Sequence, residues 1–360
     1  MRIRVGVVGG GLVAQAMHLP NLHQLDERFE LAAFAEPSQA VRERLARRYG
    51  IPSAYADHRE LLELEQLDAL VVCSPNATHA AVVLAALDAG LHVFVEKPLC
   101  ITISDADAIV TARDAAGKAV QVGYMKRFDP AVERLYDELP SDPAGLRYVR
   151  VVVNDPEFVP YFGPHDIVRG DVPAAVIEET RRLEQDQLEE AVGRADAEAV
   201  TAFSDGYLGS LVHDVNLVHG ALERLGISEP ARVADAAWWA AGRALTGSVR
   251  LPEGARWDSA WIQLMDLREY RESVAFFFAD SIRTLEFPSP WLRGAPTRYE
   301  RSGAEGAARA AASFESADEA FVRELVHFHD CVTSGTPCRT PPEQARADIA
   351  LLTDMFLAAS

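Results

Sequence analysis

Arg2-Ile3-Arg4-Val5-Gly6-Val7-Val8-Gly9-Gly10-Gly11-Leu12-Val13-Ala14 decides the fold of this chain. The run to Val8 reads as a buried first strand, and the glycines carry it into a helix that starts at Leu12. Gly9, Gly11 and Ala14 stand in G-x-G-x-x-A order. The first glycine permits a tight turn, the second lets the backbone approach a pyrophosphate, and the small third residue lets helix pack on strand. Helix N–H groups around Leu12 would then hold the phosphate charge. Glu36, about 20 residues further on at the end of a second strand, is placed to accept hydrogen bonds from an adenosine ribose. A carboxylate there repels a 2′-phosphate, so NAD is favoured as cofactor; Arg42 and Arg44 keep NADP open.

Outward from that stretch, strands and helices alternate. Strands are predicted at Arg4–Val8, Leu31–Ala35, Ala69–Cys73, His92–Val95 and Ala119–Val122. Helical patterns separate them at Leu12–Gln24, Gln39–Tyr49, His58–Leu64, His79–Ala89 and Ser104–Ala116. That alternation implies βαβ units and a parallel sheet. After Gly123 the pattern changes. Strands are predicted at Leu146–Asn154, Ala231–Ala240, Ser259–Asp266, Ser273–Ala279 and Ser281–Phe287, and no helix separates the last three. The second half therefore reads as an open, mostly antiparallel sheet, closed by helices at Ala320–Ser334 and Pro342–Ala358. The fold class is α/β, with a dinucleotide-binding domain over 1–123 and an α+β domain for substrate and oligomerisation over 124–360. An acidic helical insertion covers about 163–205, with pairs such as Glu178–Arg182; it reads as a solvated helix, a subunit contact or a lid. Gly303–Ser313 is low in complexity and reads as a surface loop.

Composition narrows the function. Apolar residues make up 49% of the 360 residues, enough for sizeable cores. The net charge of −19 argues against nucleic acid or an anionic membrane as partner. Cys73, Cys100, Cys331 and Cys338 show neither CxxC spacing nor a histidine cluster, so no metal site or disulfide framework is expected. With a strand from Arg4 and no long apolar run, a cytoplasmic protein is expected.

Two further motifs bear on chemistry. Glu96-Lys97-Pro98 ends a strand, which puts a lysine at the carboxyl edge of the sheet, where such folds place ligands. Ser74-Pro75-Asn76-Ala77-Thr78-His79 also follows a strand. Ser74, Asn76 and His79 there would line the nicotinamide-ribose side or form an ordinary N-cap turn.

These motifs, with His18-Leu19-Pro20 and Gly123-Tyr124-Met125-Lys126-Arg127-Phe128-Asp129-Pro130, resemble the glucose–fructose oxidoreductase / inositol dehydrogenase (Gfo/Idh/MocA) family. The resemblance implies an N-terminal Rossmann domain, an open-faced sheet domain and nicotinamide-dependent redox at a sugar or polyol carbon. It implies Lys97 as the proton relay on the substrate hydroxyl, with Glu96 beside the nicotinamide and Lys97 itself in reach of cofactor and substrate. A second family motif, an Asp four residues before a His, aligns with Gly209 and His213. His213 becomes the second catalytic residue, while the aspartate is missing: either His213 and Lys97 suffice, or an acid of the insertion such as Asp205 reaches in. Tyr124, Arg127, His165 and Asp214 are the remaining substrate-side candidates. The expected reaction moves a hydride between a secondary hydroxyl of a sugar, cyclitol or derivative and NAD. The missing aspartate admits a transient-redox lyase, glycosidase or epimerase, and a non-catalytic NAD-binding regulator stands behind both. The exposed sheet predicts a homodimer or homotetramer.

Overall fold

The structure is a computed structural model and describes residues 1–227, 231–305 and 308–359. Its packing separates two compact units. One comprises Met1–Tyr124, Phe162–Gly193 and Phe321–Arg346; the other comprises Met125–Tyr161, Arg194–Ala320 and Ala347–Ser360. The chain first changes unit after Tyr124, and most of the insertion and the segment Phe321–Arg346 belong to the first unit.

In the first unit six parallel strands run in the order β3-β2-β1-β4-β5-β6. They are β1 (Ile3–Val8), β2 (Phe29–Ala35), β3 (Ser53–Tyr55), β4 (Ala69–Val72), β5 (His92–Glu96) and β6 (Val120–Gly123). Ala-Leu-Val-Val in β4 is buried throughout, as a strand covered on both faces must be. Helices α1 (Leu19–Gln24), α2 (Gln39–Tyr49), α3 (His58–Leu64), α4 (His79–Asp88) and α5 (Ile103–Ala116) connect them. The Ser38 side chain caps α2 by accepting from Val41 N, and Thr102 caps α5 by accepting from Asp105 N. Strand order reverses between β1 and β4, the point at which open α/β sheets bind ligands. Two local features were not legible. Ser53–Tyr55 is a three-residue edge strand with no apolar run, and the helix expected from Leu12 is π-wound over Ala14–His18.

The second unit holds an eight-stranded sheet in the order β14-β13-β12-β11-β7-β10-β9-β8. Its strands are β7 (Leu146–Pro156), β8 (Arg232–Trp239), β9 (Ala244–Arg250), β10 (Arg256–Leu264), β11 (Arg271–Phe278), β12 (Ser281–Phe287), β13 (Arg298–Glu305) and β14 (Ala308–Glu315). All pairings are antiparallel except β7 with β10. Period-two burial puts Val149, Val151, Val153 and Asp155 of β7 on the inner face, with Trp257, Ser259 and Trp261 of β10 and Glu272, Val274 and Phe276 of β11. The loop expected over Gly303–Ser313 is instead part of the β13–β14 pair, with Gly303 opposite Ala310. Gly306 and Ala307 lie outside the described residues. Small residues hide a strand there, because pairing comes from the backbone ladder while the side chains carry no apolar alternation. Among the described residues no helix is long and apolar enough to cross a membrane.

A buried polar joint holds this unit together. The Asp348 carboxylate, fully buried, accepts from Asn216 Nδ2 at 2.7 Å and lies 2.6 Å from His219 Nδ1. Asn216 in turn accepts from Arg127 Nη1 through its backbone and side-chain oxygens, both at 3.2 Å. Asp348→Ala would strand donors without water, which costs about 2–4 kcal/mol. The expected outcome is an urea midpoint lowered accordingly with an unchanged slope.

Candidate active site

The glycine turn is built as the sequence demands. Gly9 has φ +96°, and a Cβ on it would stand 2.5 Å from the Cys73 carbonyl oxygen, so no other residue fits. Gly11 is exposed, and its Cβ position is open apart from Cys73 O at 3.9 Å, which leaves room for a phosphate against the backbone. Leu12 begins the helix and Ala14 is fully buried beneath it. Glu36 follows β2 directly and turns its carboxylate back to the loop, accepting from Gly10 N and Ser38 N at 2.8 Å each. Arg42 donates to the Glu36 carbonyl at 2.6 Å, so this arginine braces the acid's backbone. A carboxylate has about four acceptor positions, so two internal bonds leave capacity for ribose hydroxyls. These residues fit NAD.

Lys97 follows β5 directly and is half-buried. The turn around it is stiff. Glu96 accepts from Lys97 N at 3.1 Å and from His18 Nε2 at 2.5 Å. The His79 ring lies between two carbonyl oxygens, with Nδ1 2.8 Å from Pro98 O and Nε2 2.8 Å from Ser74 O, and a neutral ring donates to one of them at a time. Burial holds its pKa below the usual imidazole value, against the pull of the two carbonyls. His79, expected at the cofactor, thus ties the Ser74 loop to the lysine turn instead. Thr78 Oγ1 donates to Ser74 Oγ at 2.7 Å, and Asn76 opens a short 3₁₀ turn over Asn76–Thr78.

Beneath Glu96 lies an acid that sequence reasoning missed. Glu324 is fully buried, neither of its carboxyl oxygens has a hydrogen-bond partner among the described residues, and it lies with His18 and Glu96 in a group whose polar atoms fall within 4.8 Å. The His18–Glu96 separation of 2.5 Å is a hydrogen bond, shorter than the roughly 3.3 Å between two ligands of one tetrahedral zinc. Burial first, then the Glu96 charge, push the Glu324 carboxyl well above its ordinary 4.5. An acid whose pKa is raised in the folded state keeps a proton that the unfolded chain has lost. Stability therefore falls as pH rises from about 4.5 toward the folded value. Glu324→Gln removes the charge and keeps the shape. Thermal melts of this variant should match wild type near pH 4 and run about 2–4 °C higher at pH 8.

In the second unit the motif helix is π-wound over Val200–Leu211 and becomes α-helical over Val212–Arg224. His213 is half-buried in the first α turn. A Cβ on Gly209 would stand 2.8 Å from Ser204 O, so the π winding itself excludes an aspartate there. The acid beside the motif is Asp155, reached from β7. It is held by Trp261 Nε1 at 2.6 Å and by the Ser210 side chain, and burial raises its pKa. Asp205, the acid expected from the insertion, is exposed. Asp155 was visible in principle as the polar residue in the inward register of Val149, Val151 and Val153.

Three substrate-side expectations change. Asp214 is fully buried, 2.7 Å from Lys126 Nζ, and Lys126 also pairs with Glu272. Burial opposes the lysine's charge, but the two carboxylates outweigh it and hold its pKa above the ordinary value. The Asp214 carboxyl is pushed well up, by burial first and by Glu272 second. Arg127 is buried on Asn216, and Tyr124 is fully buried. Asp214, Arg127 and Tyr124 therefore build the frame and present no surface to a substrate. His165 sits in a 3₁₀ turn that belongs to the first unit.

Residues 3–124 match the Gfo/Idh/MocA model, described as an oxidoreductase family with an NAD-binding Rossmann fold. Over those residues the chain is similar to that family. It is similar to a myo-inositol 2-dehydrogenase of Thermotoga maritima, 27% identical over 62% of this chain and 72% of that protein. It is also similar to an inositol 2-dehydrogenase of Paracoccus denitrificans, 39% identical over 36% of this chain and 39% of that one. The chain thus spans less than half the length of some curated relatives it matches. A solved UDP-N-acetylglucosamine 3-dehydrogenase from Acidithiobacillus ferrooxidans shares the fold, with TM-score 0.72 at 19% identity over 100% of this chain and 98% of that one.

Proposed function

We propose that this protein is an NAD-dependent oxidoreductase acting on a secondary hydroxyl of a sugar, cyclitol or sugar derivative. The observation that carries the reading is Lys97, held by Glu96 and His79 at the carboxyl end of β5 in an NAD-binding sheet. NAD⁺, when bound, accepts the hydride from the carbinol carbon. The Lys97 amine takes the hydroxyl proton, as the oxidation requires. Glu96 and His79 fix the loops around it, so little reorganisation is needed when substrate arrives. Glu36 selects a free ribose 2′-hydroxyl over a phosphate. Lys97→Ala is expected to lower kcat by about 10²–10⁴ while NAD affinity stays within a few-fold. Stopped-flow turnover and fluorescence titration check the two halves of that statement.

His213 is proposed as the second proton-handling residue, with Asp155 as a positioning residue that acts through Ser210 on the helix bearing it. A carboxyl with raised pKa switches charge nearer neutrality, so its titration should appear in the rate. Asp155→Asn is expected to remove the acid limb of the kcat–pH profile and lower kcat roughly tenfold, with KM nearly unchanged. A uniform loss at all pH values, tracking a lower melting temperature, would assign Asp155 a structural role alone.

Gly209 in place of the family aspartate favours a second reading, in which NAD is reduced and reoxidised within one turnover of a lyase, glycosidase or epimerase. Following NADH absorbance and substrate loss together over a panel of inositols, sugars and glycosides separates the two. NADH rising in step with substrate loss establishes net oxidation; substrate loss without NADH establishes the internal cycle. A homodimer or homotetramer is proposed through the outer sheet face, where Val152, Ile262 and Ile282 are 39%, 37% and 38% exposed.

A further inference from the structure

The insertion, expected to be a solvated helix, a subunit contact or a lid, lies along the cofactor edge of the first unit. Its path begins at the far end of α2, where Arg48 Nη2 pairs with Asp166 Oδ2 at 2.6 Å. Two residues later Gln15, in the helix that follows the glycine turn, clamps the Val168 backbone. Gln15 Nε2 donates to Val168 O at 3.0 Å, and Val168 N donates to Gln15 Oε1 at 2.7 Å. The Val168 side chain is 7% exposed and joins the apolar cluster of Ala14, Phe34 and Val41. Gly170 then passes the start of α2 so closely that a Cβ would stand 2.3 Å from Ser38 Oγ and 2.8 Å from Val41 Cγ2. Ser38 is the residue whose N–H holds the Glu36 carboxylate. The chain next forms the helix Ala174–Val192. The charge of Glu179 on it acts on Arg59 at the start of α3, Gln187 Nε2 donates to Ala77 O at 2.9 Å, and Glu190 accepts from Ser104 Oγ.

These contacts trace a line from the end of β2 to the ends of β4 and β5. A dinucleotide laid on the glycine turn with its ribose at Glu36 lies under that line. We propose that residues 166–190 are an outer wall of the NAD site, a strap over the adenosine half that keeps the cofactor bound between turnovers. The fit is made rather than incidental: the strap is held by a two-bond amide clamp, a buried valine and a glycine where no side chain fits. For NAD to leave, the Gln15–Val168 pair must open and Val168 must come out of the apolar cluster. Dissociation is therefore gated by local opening of the strap rather than by the cofactor's own contacts. A retained cofactor suits either an internal redox cycle or reoxidation in place by a second substrate.

The inference rests on NAD binding by the first unit and not on the proposed substrate, so its test uses no turnover. The whole protein is purified without added nucleotide, and NAD(H) released by acid is quantified. The NADH off-rate is then measured by fluorescence while excess NAD⁺ displaces it, for wild type, Gly170→Ala and Gln187→Ala. Hydrogen exchange of the 166–190 peptides is recorded with and without NAD. Near-stoichiometric nucleotide in wild type, an off-rate raised about tenfold or more in Gly170→Ala and in the same direction in Gln187→Ala, and slower strap exchange with NAD are expected. Should Gly170→Ala fail to fold, Gln187→Ala, which removes one amide contact, carries the comparison. Unchanged off-rates together with strap exchange indifferent to NAD would overturn the proposal. So would tighter NADH binding in the variants, which would make the segment a plug that competes with the cofactor.

Discussion

Gly9 presses against the Cys73 carbonyl at a φ that only glycine adopts freely, and the first unit depends on that contact. It lets β1 end abruptly beside β4, which opens the crevice where strand order reverses. Glu36 answers from β2 by accepting from Gly10, so two neighbouring strands are joined at the edge where a ligand must sit. The site is then completed from outside the sheet. Gln15, one residue after Ala14, holds backbone from the insertion, and Ser38 meets Gly170. Fold and cofactor edge are thus one construction, since the same short turn sets both.

Each unit places buried acids near its candidate catalytic residue, and each manages the charge differently. In the first, Glu324 has no donor among the described residues and keeps a proton, while Glu96 takes the His18 hydrogen bond. In the second, Lys126 bridges Asp214 and Glu272, whose mutual repulsion helps push the Asp214 carboxyl up, and Trp261 with Ser210 satisfies Asp155. Buried charge is tolerated only when paired, hydrogen-bonded or discharged, and all three solutions are present. None of these acids is exposed enough to be recruited by solvent, so their roles are confined to holding side chains and protons in place.

The motif helix illustrates how a local distortion replaces a residue. With π winding over Val200–Leu211, the backbone at 209 comes too close to Ser204 for any side chain. The aspartate that the family motif calls for cannot be housed, and a carboxylate arrives from the adjoining strand at Ser210 instead.

The parallel sheet, the glycine turn with Glu36, the position of Lys97 after β5 and a second, mostly antiparallel sheet were all legible in the order of the residues. These follow from local rules: periodicity marks buried faces, glycine marks positive φ, and a strand's end places whatever follows it. Short or small-residue strands escaped, Ser53–Tyr55 and the β13–β14 pair among them, since their pairing lies in backbone hydrogen bonds that leave no side-chain pattern. Only the tertiary structure decided which polar residues are spent on the frame. His79, Arg127 and Asp214 look like site residues in the sequence, yet each satisfies distant partners in the fold. Asp155, Glu324 and the strap at Val168–Gly170 drew no such notice, and packing brings them to the chemistry. Partnership between residues far apart in the chain is a property of the folded core, and no spacing in the sequence records it.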